Sequence, residues 1–169
     1  MGGGTRISVD EYLSTSYSPD REFRDGVLVE RNVGDNAQSL LQAALAAYFY
    51  RRRKAWQIQV LTALRIKVRG GWYSVPDVCA YSLPDLTDRY PSTLPLLWME
   101  ILSDDDTMSE VRNKASELIA CGVPWVWIID QHTLESELHS KNSVQQVPEK
   151  TLRLPGTPIE ILLQAVLEE

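Results

Sequence analysis

The sequence predicts an α/β fold of the α+β kind: a mixed central sheet flanked by helices, with an N-terminal hairpin. Three observations carry this. Leu96 to Asp130 reads as strand, helix, strand over roughly 30 residues, the length of a parallel crossover. Asp25-Gly26 separates two short runs and supplies the left-handed conformations of a two-residue hairpin turn. Ala37, Leu41, Ala44, Leu45 and Tyr48 recur at helical spacing, so a long helix should lie across the sheet.

In chain order, residues 1–8 should be loose and 9–169 should form a single domain. A length of 169 residues suffices for one real core. Ser8 followed by Glu11 is a capping box that opens a short helix, which Ser18-Pro19-Asp20 breaks. Residues 21–24 and 27–31 form the hairpin. Asp35, with Gln38 three residues on, caps the long helix. That helix ends in Arg51, Arg52, Arg53 and Lys54. These cations either oppose the helix macrodipole or contact phosphate. Ile58 to Val60 is a short strand. Leu64 to Arg69 alternates strictly and places Arg65, Lys67 and Arg69 on one face, either solvated or beside a site. Gly70-Gly71 turns the chain into residues 72–75. Val75 to Tyr81 reads as a buried strand. Three prolines make 81–95 a loop with room for one helical turn. Leu96 to Leu102 is a second buried strand. Thr107 and Glu110 form another capping box, and the helix behind it should run to Cys121 before Gly122 and Pro124. Pro124 to Ile129 is a buried strand, residues 131–150 are hairpin-like, and Ile159 to Leu167 should be a short helix.

Composition narrows the class. Hydrophobic content of 44% and charged content of 24% are those of a globular chain. No apolar run reaches the roughly 20 residues that span a bilayer, and the first residues lack the apolar segment of a signal peptide. Cys79 and Cys121 read as small buried thiols of a reducing compartment, so a cytoplasmic location is expected. The formal charge of −6 steers poorly towards nucleic acid, so any phosphate-binding face must come from a local basic patch.

Two of the buried strands each carry one carboxylate, Asp77 and Glu100. An ionised carboxylate among buried strand residues costs several kcal/mol or so unless it is compensated. Backbone N–H groups or an arginine would serve. So would a divalent cation: adjacent strands lie about 4.8 Å apart, and two oxygens on one Mg²⁺ can lie up to about 4 Å apart. Lys114 follows Val111 by three residues and precedes Leu118 by four, on or beside the apolar face of its helix. It either snorkels to the edge or meets a carboxylate such as Glu100. Two carboxylates and an ammonium are the parts that metal-assisted hydrolysis of a phosphodiester needs.

Residues 9 to the C-terminus resemble the Uma2 family, restriction-endonuclease-like proteins of the PD-(D/E)XK nuclease superfamily. The resemblance rests on Glu22, Asp25-Gly26, the Gly34 loop, Val75-Pro76-Asp77-Val78, Met99-Glu100-Ile101-Leu102-Ser103, Lys114 and the run Gly122 to Asp130. It implies a restriction-endonuclease-like sheet and Asp77 and Glu100 as ligands of Mg²⁺ or Mn²⁺. Leu102 stands where the general motif has its lysine, and Lys114, on the next helix, takes that place. Glu22 is a candidate accessory residue that either reaches the site or anchors the hairpin. Gln38 is a second candidate, at a position where many relatives carry His, and Ala63 stands where many carry an acid.

Two functions follow from the resemblance. One is a metal-dependent endonuclease hydrolysing DNA phosphodiester bonds. Arg51, Arg52, Arg53, Lys54, Arg65 and Lys67 are its candidate nucleic-acid contacts, and a homodimer would cut both strands. The other is an inactive nuclease-fold module that binds nucleic acid or a protein partner. The acidic charge, Gln38 and Ala63 favour the second.

Overall fold

The computed structural model describes residues 5–169. Of the stretch expected to be loose, residues 1–4 lie outside the described residues. Ile7 N–H donates to Gly26 O at 2.9 Å. Ser8 Oγ accepts from Glu11 N and opens helix α1 (Val9–Ser14). The hairpin follows as β1 (Glu22–Arg24) and β2 (Val27–Val29), with Asp25 at φ 50° and Gly26 at φ 89° in its turn. Asp35 caps α2 (Asn36–Trp56) by accepting from Gln38 N at 2.9 Å. The helix stops at Gln57, whose left-handed backbone (φ 54°) turns its N–H back onto the carbonyls of Arg53 and Lys54.

Next come β3 (Ile58–Thr62), β4 (Ile66–Arg69) and β5 (Trp72–Ser74). Then follow β6 (Val78–Ser82), β7 (Leu97–Leu102), α3 (Met108–Ala120) and β8 (Trp125–Asp130). The chain closes with β9 (Ser136–Ser140), β10 (Ser143–Gln146), β11 (Thr151–Arg153), β12 (Glu160–Leu162) and α4 (Leu163–Glu168). The central sheet has the order β10-β9-β8-β7-β6-β3. Among the described residues only β7 and β8 pair in parallel, across the α3 crossover. A second sheet, β2-β1-β5-β4, contains the β1–β2 and β4–β5 hairpins.

Strand β7 shows how the layers form. Side chains alternate along a strand. Leu97, Met99 and Ile101 enter a core with Leu41, Leu45 and Phe49 of α2. Trp98 enters the opposite core with Ala115 and Leu118 of α3 and with Trp72 of the second sheet. Glu100 shares the face of Trp98, so the carboxylate points towards α3. Register completes the placement. Val78 lies opposite Met99, and one further step sets Asp77 against Glu100.

Several expectations are corrected. Asp77 is not inside a strand; β6 begins one residue later, because Pro76 can donate no ladder hydrogen bond. The loop 83–96 contains no helical turn. The segment expected as a helix from Ile159 to Leu167 begins as strand, with Arg153 opposite Glu160 and Thr151 opposite Leu162. Ile159, Ile161 and Leu163 are buried in alternation there, a period of two that only later gives way to helix. No helix of the described residues is long and apolar enough to cross a membrane.

The two hairpins meet at their turns. Asp25 N–H donates to Gly71 O at 2.7 Å, and Arg69 Nη1 lies 3.1 Å from Asp25 Oδ1. Gly71 has φ 81°, and a Cβ there would come within 2.7 Å of Asp25 Oδ1. Gly71→Ala is therefore expected to cost about 1–3 kcal/mol. It should show as a lower urea midpoint at an unchanged denaturant slope.

Candidate active site

Four elements deliver side chains to one cavity of about 270 Å³. The turn before β6 brings Asp77, β7 brings Glu100, α3 brings Lys114 and β1 brings Glu22. Lys114 is the centre. Its Nζ lies 2.9 Å from Glu100 Oε1 and 3.0 Å from Glu22 Oε1. The helical spacing that put Lys114 beside the packing face is what aims it there.

Each carboxylate is individually supported. Glu22 Oε1 also accepts from Ser74 Oγ at 2.7 Å and from Val75 N–H at 2.8 Å. Glu100 Oε1 accepts from Trp98 Nε1 at 2.8 Å. Asp77 Oδ2 accepts from Ile101 N–H at 2.8 Å. Asp77 Oδ1 meets Arg31 Nη2 at 3.3 Å.

These contacts set the charges. Burial raises the Asp77 carboxyl and the nearby Glu100 carboxylate raises it further, to about 7, against the Ile101 N–H, Arg31 and Lys114. Burial would also raise Glu22, but Lys114 and the donors around it prevail and hold it below the ordinary range. Burial alone would lower the Lys114 ammonium. The carboxylates of Glu100 and Glu22 reverse this and hold it protonated well above the usual lysine range.

The residues present fit a hard divalent cation in an open site. Asp77 and Glu100 offer carboxylate oxygens, the donors that magnesium and manganese take, and magnesium keeps several waters beside one or two carboxylates. Glu100 Oε1 receives both the Trp98 and the Lys114 donors, which leaves Oε2. Gln38 also lines the cavity, and its buried Oε1 has no hydrogen-bond partner among the described residues. The third acid, Glu22, is committed to Lys114. No group of three or more His, Cys, Asp or Glu among the described residues forms a closed metal cage.

Other candidate residues lie elsewhere. Arg51 and Arg52 pair with Glu169, and Arg53 donates to Tyr50 O. At 1.5 Å per residue, Arg52 stands roughly 20 Å along α2 from Gln38. Lys54 belongs to the same last turns, and Lys67 is exposed on β4. Arg65 offers no face to phosphate. It is buried, with Nε and Nη2 on Asp20, Nη1 on Tyr12 O and Nη2 on Thr15 O. Ala63 borders a different cavity. Arg31 was missed by sequence reasoning because a loop residue has no periodicity. Gln42, whose Nε2 donates to Asp77 O at 3.2 Å, was readable only as one more helical position.

The family model described as "Uma2: Putative restriction endonuclease" matches residues 9–165. Among solved structures, the chain is similar to the crystal structure of "a putative nuclease belonging to DUF820" from Anabaena variabilis. The TM-score is 0.81 at 17% identity, over 96% of this chain and 98% of that one. At that identity the likeness shows a shared fold. No curated protein gives a match.

Proposed function

Because the chain belongs to the Uma2 family, we propose that it is a divalent-metal-dependent endonuclease that hydrolyses DNA phosphodiester bonds at the Asp77–Glu100–Lys114 cavity. The observation that carries this reading is the convergence of two carboxylates and one ammonium from separate elements on an open cavity. Asp77 and Glu100 would hold Mg²⁺ or Mn²⁺. Such an ion, when bound, lowers the pKa of a coordinated water and offsets charge on the phosphate.

The protein's own groups do the rest. Lys114, fully protonated, is no general base. Its ammonium has three donors, and Glu22 and Glu100 take two. The third can hold a water or a phosphate oxygen and stabilise charge that develops in the transition state. Glu22 is a positioning residue: it fixes the ammonium through Oε1. Gln38 can accept a hydrogen bond from a water in the cavity through Oε1. Cutting both strands of a duplex takes two such cavities, so the reading includes a homodimer.

A second reading is favoured by the electrostatics. Six acids line the cavity (Glu22, Glu30, Asp77, Glu100, Asp106 and Glu110) against two cations, Arg31 and Lys114. A surface of that balance suits a nuclease-fold module that binds a partner without cutting. Plasmid nicking separates the two. The first reading expects wild-type protein to nick in Mg²⁺ or Mn²⁺ but not in EDTA, with Asp77→Ala at background. Nicking that survives Asp77→Ala would place the activity elsewhere. No nicking, together with no Mn²⁺ binding by calorimetry, would leave the second reading standing.

A further inference from the structure

Arg31 sits on a wall between two cavities. On one side it meets Asp77. On the other it lines an adjoining cavity of about 390 Å³ with Ser16, Tyr17, Ser18, Arg21 and Glu30. We propose that Arg31 is an exchangeable counter-ion: it yields Asp77 Oδ1 to the divalent cation and then binds a substrate phosphate, with the adjoining cavity taking the nucleotide next to the scissile bond. The inference rests on the metal-dependent reading above.

The Asp77 geometry gives the exchange. Oδ2 is held at 2.8 Å by the Ile101 N–H, a backbone donor fixed in β7. Among the described residues, Oδ1 has only the longer 3.3 Å contact to Arg31 Nη2. Oδ1 is therefore the oxygen that a cation can claim at least cost, and Arg31 is its competitor there. The Arg31 side chain comes from the loop after β2, not from a helix or strand, and is 22% exposed. An arginine fork freed from one carboxylate oxygen matches a phosphate well.

The adjoining cavity has the chemistry for what Arg31 would then hold. Its lining carries two arginines against one acid, whereas the metal cavity carries acids in excess. Arg21 pairs with Glu30 only at 3.7 Å, with both side chains exposed, so its guanidinium is available. The Tyr17 ring offers an aromatic face, and Arg21 lies 5.2 Å from its centroid. Ser16 and Ser18 bring hydroxyls. A volume of this order is that of a small-ligand pocket, and an aromatic beside cations is how single-stranded nucleotides are held.

Calorimetry with two probes, Mn²⁺ alone and then deoxyadenosine 5′-monophosphate in saturating Mn²⁺, tests this on the full chain. Arg31→Met is expected to bind Mn²⁺ about five- to tenfold more tightly than wild type, and the nucleotide about five- to tenfold more weakly. Arg21→Met, which leaves the Asp77 contact intact, is expected to weaken the nucleotide and leave Mn²⁺ affinity unchanged. That control separates competition for one oxygen from a general gain on deleting any nearby positive charge. If wild type binds Mn²⁺, Asp77→Asn loses it and Arg31→Met matches wild type, the exchange is overturned while the metal reading stands. If both arginine variants bind the nucleotide as wild type does, the subsite is overturned. If Asp77→Asn binds Mn²⁺ as wild type does, or neither binds it, the metal reading fails and takes this inference with it.

Discussion

Replacing Lys114 with Met should lower the melting temperature at pH 7.5 by about 6–20 °C. The side chain has similar bulk, so little cavity is created. What is lost is the ammonium between Glu22 and Glu100, whose side chains are 9% and 15% exposed. Removing one partner of a buried pair leaves uncompensated charge and costs about 3–5 kcal/mol. In a domain of this size each kcal/mol moves the melting point by about 2–4 °C. A second change should repair part of the damage. In Glu22→Gln/Lys114→Met the buried carboxylate is gone, so the double variant should lose less than the two single losses added together. The pH dependence fixes the sign. Glu22 is depressed in the fold, so its stabilisation is present above the ordinary glutamate pKa and disappears as pH falls through the folded value. The gap between wild type and Lys114→Met should therefore narrow towards pH 4. A melting point within 2 °C of wild type at pH 7.5 would mean that the ammonium does not hold these acids.

The second large effect belongs to Asp77 and runs the other way. Its carboxyl is raised from 3.8 to about 7 by burial and by Glu100. For an acid raised on folding, the penalty is absent below the unfolded pKa and complete above the folded one. The metal-free protein should lose roughly 3–4 kcal/mol from this group as pH rises from about 4 to about 7. Melting in EDTA across pH 5–8 should show the decline, and Asp77→Asn should flatten it. His132, raised by its partner Asp104, also loses stabilisation as pH climbs. It is exposed, so its share is small and persists in Asp77→Asn. On the metal-dependent reading, excess Mg²⁺ should remove the Asp77 decline, since an ion that binds only the ionised form stabilises the fold by mass action. An identical decline in Asp77→Asn would show that another group titrates.

Much of this site could be read along the chain because its parts obey local rules. Capping boxes at Ser8 and Thr107 opened two helices where the structure has them. Asp25-Gly26 set the hairpin that carries Glu22. Apolar spacing on α3 put Lys114 beside the sheet. What stayed hidden depends on distant partners. Arg65 alternates with Leu64 and Ile66 and shares the face of Lys67, as if on a solvated strand face, yet it meets Asp20, 45 residues earlier in the chain. Arg31 acquires its meaning only when the loop after β2 is laid across Asp77. The C-terminal strand reads as helix in the sequence, because a short apolar run satisfies both periods and only its pairing with β11 separates them.

Arg65 now carries a different significance. Its guanidinium ties the end of α1 through the carbonyls of Tyr12 and Thr15, and it grips Asp20 in the same clasp. A six-residue helix has no persistence of its own. Glu22 lies two residues beyond Asp20. The anchor that keeps the amino-terminal segment seated thereby governs where the far wall of the cavity stands, from outside the cavity itself. On the nuclease reading, damage at that rivet would surface as a loss of cutting, although Arg65 lies outside the cavity.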